Sequence, residues 1–389
     1  MIGKFALKLI TTDSELDALY PEWEALDASL SQRTPFTSPL WCITWWRHFR
    51  RNTFTACDQL RLYALRDPVG RLVAVAPMML TSRPKYGPFR LRQMQFFGAD
   101  TNITELRGPV CRPEIFHDVV ERLHEQLLTQ QTEWDWVQWR GVLKTPETVA
   151  WVKDRTHLRL QGNTPDFYVP LPANWAALNA RLTRNMKEAI RKSYNLLARD
   201  GHSFEFRVLG KPEDMPDAIS TFLDLHTARA ELTGTIDHIN AFATPHAKAF
   251  LHKIALLHAE QGRMRIFQLV IGGEVVATRL AFVCGTELYL YFSGYKPEWS
   301  KYSAMTTTVV EIMKWALQER FSVVNLSFGN DRSKLRWRPE SCEYIGGFTV
   351  SNNLQAELLW PGFSAIWRRL HPAVSHAPNT AETEGARAG

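Results

Sequence analysis

The chain has 389 residues, 45% hydrophobic and 22% charged, which is enough to bury two cores and excludes a disordered or fibrous protein. A formal charge of +6 and a pI near 9.0 favour anionic partners such as CoA, nucleic acid, a phosphorylated sugar or a membrane surface. Five cysteines, odd in number, scattered and without Cys-x-x-Cys spacing, speak against a disulfide framework or a zinc site and for a reducing compartment. The first residues lack the apolar stretch and cleavage site of a signal peptide, and no run reaches membrane-spanning length. A cytoplasmic protein without a transmembrane segment is expected, with peripheral envelope association left open.

Apolar periodicity predicts helices over 16–30 and 39–50. Strands follow near 60–66 and 71–80 about a Pro68-Val-Gly70 turn, then a strand at 91–97, a helix at 115–128 and a strand at 136–139. The helix at 115 starts after Arg112-Pro113-Glu114, where the acid repels phosphate. Trp41, Trp45, Trp46, Trp134, Trp136 and Trp139 read as core, with a sugar-stacking platform as the alternative. Gly162, Pro165, Pro170 and Pro172 break up an extended segment and set the expected domain boundary.

Beyond it, Leu178, Leu182, Met186, Ile190, Tyr194 and Leu197 form the apolar stripe of a helix. Its other side carries Arg181, Arg184, Lys187, Arg191, Lys192 and Arg199 against Glu188 alone, so Arg184 and Arg191 are the expected anion contacts. The order of the first half then returns: a strand at 203–209, helices at 213–232 and 241–261, and a hairpin of 264–271 with 274–283 across Gly272-Gly273. His226 lies on the first of those helices with Asp224 and Glu231, and its near-neutral intrinsic pKa suits general-base work.

The segment 287–337 carries the most information. An aromatic strand over 287–295 stops at Lys296-Pro297, with Tyr289, Tyr291 and Tyr295 expected on one face, where a phenol can donate to a developing oxyanion. Ser303 can cap a helix with apolar positions at Met305, Val309, Ile312, Met313, Ala316 and Leu317. Its first turn, Ala304-Met305-Thr306-Thr307, is uncharged and follows Lys296 and Lys301, which suits a pyrophosphate at the positive end of the helix dipole. A buried strand over 322–327 leads into Phe328-Gly329-Asn330-Asp331 and Arg332-Ser333-Lys334-Leu335-Arg336-Trp337, and a last strand is expected at 344–350. The tail from His371 lacks apolar periodicity and is expected to be disordered.

In this segment the chain resembles the CelD/BcsL type of acetyltransferase, in the GNAT superfamily and related to the FemAB-like transferases. The resemblance rests on Asn325-Leu-Ser-Phe-Gly329 and on Ser333-Lys334-Leu-Arg-Trp337. It departs from the family pattern at Ala304 and Met305, where Pro and Gly are usual, at Asn325 for Asp and at Ser333 for Tyr. What it implies is a mixed α/β fold of two tandem GNAT-like domains, each a mostly antiparallel sheet flanked by helices, over residues 1–165 and 166–370, with a tail at 371–389. It also implies transfer of an acyl group from acetyl-CoA or another acyl-CoA to an amine or hydroxyl, for instance of a saccharide or an envelope precursor, without a metal. Under this reading Lys334, Tyr295 and His226 are the candidate catalytic side chains. Lys296, Lys301, Ser303, Ala304, Met305 and Thr306 are the candidate donor contacts, and Arg184, Arg191 and Trp337 the candidate acceptor contacts. The first domain would be a degenerate partner shaping the acceptor groove. Two alternatives stay open: a FemAB-like transferase using aminoacyl-tRNA, for which the basic helix would meet RNA, and a non-catalytic module of an envelope polysaccharide assembly. Phosphate-loop, His-Glu-x-x-His, Gly-x-Ser-x-Gly and dinucleotide-fingerprint motifs are absent, so NTP hydrolysis, zinc proteolysis and serine hydrolysis lose support.

Overall fold

The computed structural model describes residues 5–31, 33–87, 89–100, 102–154, 159–232, 239–329 and 332–370. The tail from His371 lies outside them. Among the described residues the strands are β1 (Ala6–Ile10), β2 (Cys57–Leu60), β3 (Leu62–Arg66), β4 (Leu72–Ala76), β5 (Met78–Arg83), β6 (Leu91–Phe96), β7 (Val110–Cys111), β8 (Trp136–Leu143), β9 (Arg159–Pro170), β10 (Phe204–Leu209), β11 (Met264–Ile271), β12 (Glu274–Cys284), β13 (Glu287–Tyr295), β14 (Val323–Phe328) and β15 (Glu340–Val350). The helices of the first half are α1 (Asp13–Ala28), α2 (Pro39–Phe49), α3 (Phe116–Leu128) and α4 (Pro146–Asp154). Those of the second are α5 (Trp175–Arg181), α6 (Arg184–Arg199), α7 (Met215–Ala230), α8 (Pro245–Glu260), α9 (Ala304–Gln318), α10 (Arg332–Leu335) and α11 (Leu354–Leu370).

Helix starts follow local chemistry. Ser38 Oγ accepts from the Trp41 amide with Pro39 in the first turn of α2, and Thr244 Oγ1 does the same for Ala247 ahead of Pro245 in α8. Thr183 Oγ1 accepts from Met186 N and so starts α6 afresh, after Leu182 has left helical geometry. The single basic helix expected over this stretch is therefore two helices. Gly272 and Gly273, both at positive φ, supply the two-residue turn of the β11–β12 hairpin, in which Ile271 faces Glu274.

One sheet of eleven strands crosses both halves in the order β10-β11-β12-β13-β14-β9-β15-β8-β6-β5-β2, and a smaller sheet runs β1-β3-β4-β7. The strands expected at 60–66 and 71–80 each divide between these sheets, at Arg61 and at Pro77, which has no N–H to give to a ladder. Two parallel contacts stand out in this otherwise antiparallel ladder, β13 with β14 and β6 with β8, one in each half. Beside each lies the last strand of the opposite half: β9 pairs with β14, and β15 with β8, while β9 and β15 pair with each other. The halves thus exchange their final strands about a pseudo-twofold centre. The proline-rich stretch runs through β9 as far as Pro170, and Pro172 lies beyond the strand.

The cores reflect this exchange. α1, α2, α7 and α8 share one apolar cluster with β11–β13, in which Trp41 packs edge-on against Phe250, Phe282 and Tyr291 from the other half. Trp41, Trp45, Trp46, Trp134, Trp136 and Trp139 are all buried, as core rather than as an exposed platform. α5, α6 and α9 cover the other face of β11–β14. The chain is a mixed α/β protein whose sheets are flanked by helices. None of its described helices is long and apolar enough to cross a membrane.

Candidate active site

β13 and β14 pair only over Glu287–Tyr289 and Val323–Asn325 and then part. Where they diverge, a cleft of about 340 Å³ opens. Its walls are Leu290, Ser293 and Tyr295 of β13, Leu326 of β14, the start of α9 from Ser303 to Thr306, and Arg229, Arg279, Arg336, Lys334 and Trp337.

A bulge decides which side chains of β13 face it. Arg279 pairs with Ser293 and Ala281 with Leu290, so Tyr291 and Phe292 together oppose one residue of β12. Strict alternation would set Tyr295 beside Tyr289 and Tyr291. Instead Tyr289 and Tyr291 are buried toward the first half, their hydroxyls donating to Glu105 Oε2 and to the Ile103 carbonyl. The bulge turns Tyr295 onto the cleft face, where the Arg229 guanidinium lies 5.8 Å from its ring centre.

The start of α9 also differs from a side-chain cap. Ser303 is in the left-handed region (φ 55°, ψ 43°) and its hydroxyl makes no capping bond; its carbonyl accepts from the amides of Thr306 (2.8 Å) and Thr307 (3.2 Å). The amides of Ala304 and Met305, like the first N–H groups of any helix, have no carbonyl within it. They sit at the positive end of the helix dipole, on the wall of a cleft rich in arginine.

Lys334 has a definite task. Its ammonium donates to the carbonyls of Ser327 (3.0 Å), Phe328 (2.6 Å) and Gly329 (3.4 Å) and to Ser327 Oγ (3.1 Å), so it ties down the chain as it leaves β14. Trp337 is buried and packs under the cleft with Met186 and Leu326. Of the other expected donor contacts, Lys296 turns away to pair with Glu274, and Lys301 lies over the Tyr302 ring, 4.6 Å from its centre; neither lines the cleft. Arg184 and Arg191 are exposed on α6, Arg184 paired with Glu188 at 2.9 Å.

A second hollow, about 610 Å³, lies between the halves and touches the first at Arg229. His226 is on its wall, with Nδ1 3.0 Å from the Ser293 carbonyl and the ring stacked on Phe222; Asp224 and Glu231 are exposed and lie apart from it. α7 is pressed onto β13 here: a Cβ at Gly294 would stand 2.5 Å from both His226 N and Leu225 C. Gly294→Ala is therefore expected to push α7 off β13, lowering stability by about 1–3 kcal/mol and disturbing both hollows through His226 and Arg229. Thermal denaturation of the variant checks the first effect and ligand titration the second.

On the other side of the wall made by Leu106, Gly141 and Tyr344 is a smaller cavity of about 170 Å³, lined by Asp166, Glu287 and Asn325. Asn325 Nδ2 donates to Asp166 Oδ2 (3.1 Å), and Asn325 Oδ1 accepts from Ser327 N (2.7 Å). Burial pushes the Asp166 carboxyl up to about 8, with the charges of Glu287 and Glu105 adding to the effect and Asn325 and Lys334 opposing it. Burial likewise pushes Glu287 up to about 7 and raises Glu105.

Motif reading brought together Tyr295, Ser303, Ala304, Met305, Thr306, Lys334 and Trp337, which share one cleft in the fold. It missed Arg229, Arg279, Glu105 and Asp166, which arrive from separate elements. The polar pattern of α7, with Arg229 one turn beyond His226, was the available signal for the first of these.

Residues 184–335, from α6 to α10, match the family model described as acetyltransferase (GNAT) domain. No curated protein matches the chain. Among solved structures, FemX superposes with a TM-score of 0.59 at 12% identity over 92% of this chain and 99% of that one, which shows a shared fold. A conserved protein of unknown function from Bacteroides thetaiotaomicron gives 0.47 at 11% identity, over 88% of this chain and 99% of that one. A tandem GNAT protein from the clavulanic acid biosynthesis pathway gives 0.42 at 10% identity, over 90% of this chain and 99% of that one.

Proposed function

We propose that the protein moves an acyl group, acetyl in the simplest case, from acyl-CoA to an amine or hydroxyl of an acceptor lying between the halves. One observation carries this reading: the cleft where the parallel pair β13–β14 parts is lined by an uncapped helix start and by arginines, and it meets the inter-half hollow at Arg229. A donor phosphate would rest on the amides of Ala304 and Met305, with Thr306 beside it. Its acyl end would point along β13 toward Ser293 and Arg229. Attack by the acceptor heteroatom forms the new bond to the acyl carbon, the carbon–sulfur bond of the thioester breaks, and the acceptor's proton passes to the departing thiolate, which leaves as free CoA thiol. The chain's part is to align the two reactants and to meet the tetrahedral oxyanion with donors, for which Tyr295 and Arg229 are placed. Lys334 is a positioning residue in this account, since its ammonium holds the turn after β14.

The first half serves as the acceptor-side partner. Its own parallel pair, β6 with β8, carries a glutamine network over its paired residues: Gln93 Nε2 donates to Gln95 Oε1 (3.1 Å) and Gln138 Oε1 (2.9 Å), and Gln95 Nε2 to Thr81 Oγ1 (2.8 Å). Its helix α3 follows Pro113-Glu114. In this reading the two units meet near residue 165, with the final strands exchanged across that point.

Release of free thiol from acetyl-CoA, measured with amines, amino sugars and hydroxylated saccharides, tests the function. Turnover with one acceptor class supports it, whereas CoA binding without turnover across the panel favours the non-catalytic module. A second reading, an aminoacyl-tRNA donor, draws on the exposed cations Arg184, Lys187, Arg191 and Lys192 of α6, whose buried Met186 lines the same cleft. It predicts RNA affinity that falls steeply with salt.

A further inference from the structure

The inter-half hollow holds two arginines that the reaction outlined above does not use. Arg107 and Arg140 both line it, and among the described residues neither has a hydrogen bond or an ion pair with a protein group. Three other half-buried guanidiniums are matched: Arg51 with Asp58 and Arg92 with Asp135, each at 2.9 Å, and Arg263 with Glu24. Arg140 Nε is shielded from solvent and unsatisfied.

The backbone forces the two side chains together. Each precedes a glycine, Gly108 or Gly141, and these glycines touch: a Cβ on Gly141 would lie 2.2 Å from the Arg107 carbonyl oxygen, and one on Gly108 would lie 2.8 Å from that of Arg140. Gly141 is at φ +61°, a geometry that favours glycine in mid-strand. Burial, and then the like charge of Arg140, lowers the Arg107 guanidinium to about 10; burial lowers that of Arg140 as well. Asp100, whose charge acts on Arg107, is already occupied by Trp45 Nε1 and by the amides of Ile103 and Thr104. Glu105 lines the same hollow, but its carboxyl takes the Tyr289 hydroxyl.

Two like charges in a half-buried hollow, neither paired with a carboxylate, destabilise the fold unless a ligand neutralises them. We propose that Arg107 and Arg140 form an oxyanion subsite, so that the acceptor is an anion, held in the hollow through a carboxylate or a phosphate. The inference rests on reading this hollow as the acceptor's. Guanidiniums suit both groups, since each offers a planar fork to paired oxygens.

The test is a thermal-shift titration of the full chain with inorganic phosphate and, separately, with malonate, which distinguishes the two sources of the oxyanion. Wild type is expected to show a saturable rise in Tm with at least one of them. Arg107→Gln/Arg140→Gln should weaken the apparent affinity roughly tenfold or more, yet without anion it should melt no lower than wild type. Arg336→Gln, in the donor cleft, should keep the response. The proposal is overturned if wild type responds to neither probe, if the double variant responds as wild type does, or if it melts lower without anion. If the double variant does not fold, Arg140→Gln alone is read for the same two properties, and either an unchanged anion response or a lower melting point without anion overturns the proposal. Titration with acetyl-CoA in parallel separates the two readings: loss of donor binding by wild type sinks the transferase, while donor binding with an unchanged anion response in the double variant sinks only the subsite.

Discussion

Thr306→Glu is expected to leave the fold as stable as wild type, or slightly more so, while weakening donor binding by about 10–100-fold. The two effects have opposite signs because they share one cause. Thr306 is half-buried in the first turn of α9, where a carboxylate meets the positive end of the helix dipole and the unpartnered amides of the first turn. The same amides form the cleft wall assigned to the donor phosphate. An anionic donor must then approach a fixed negative charge instead of a neutral hydroxyl. A helix whose start had only a structural role would show the stability gain and no change in affinity. Thermal denaturation and the donor KM, measured on one preparation, separate the cases.

Asp166→Asn is expected to stabilise the protein by an amount that grows with pH. Asp166 is 4% exposed, and its carboxyl, ordinarily near 3.8, is pushed up to about 8, chiefly by burial. A carboxyl raised in the folded state leaves stability in full below its unfolded value and removes it progressively as pH climbs toward the folded one. Wild type should therefore lose stability between about pH 4 and pH 8, at up to about 1.4 kcal/mol per pH unit from this group. Asparagine keeps the oxygen that accepts from Asn325 Nδ2 and carries no charge. The stability curves of variant and wild type should meet near pH 4 and be several kcal/mol apart, in order of magnitude, at pH 8. Glu287, raised to about 7, leaves the variant a smaller decline of its own. Urea midpoints taken across this range check the divergence; parallel curves would mean that Asp166 is ionised at no cost in the folded state.

How much of this was legible in the sequence depends on how local each feature is. The order of β13, α9 and β14 follows from periodicity and punctuation within about 40 residues, and most of the cleft lining came with it. The bulge at Tyr291 and Phe292 leaves no mark on a period of two, so Tyr289 and Tyr291 were expected on the cleft face beside Tyr295 and lie on the opposite one. Lys296 and Lys301 were expected at the cleft because they precede the helix in sequence, but nearby partners, Glu274 and Tyr302, take them elsewhere. The exchange of β9 and β15 is non-local, and a proline-rich stretch gave no sign that it would pair with strands of the other half. Arg107 and Arg140 meet only through the contact of Gly108 and Gly141. Two Arg-Gly dipeptides, one at the end of a predicted strand, were the only trace.

The central claim is that the cleft between the parting ends of β13 and β14 binds an acyl-CoA. Calorimetric titration of the wild-type chain with acetyl-CoA, alongside an aminoacyl-tRNA at matched salt, tests it most directly. The account predicts saturable binding of acetyl-CoA with a stoichiometry of one, a single donor in the cleft between β13 and β14, and weak, salt-sensitive binding of the RNA. No heat with acetyl-CoA and tight, saturable binding of the aminoacyl-tRNA would contradict it.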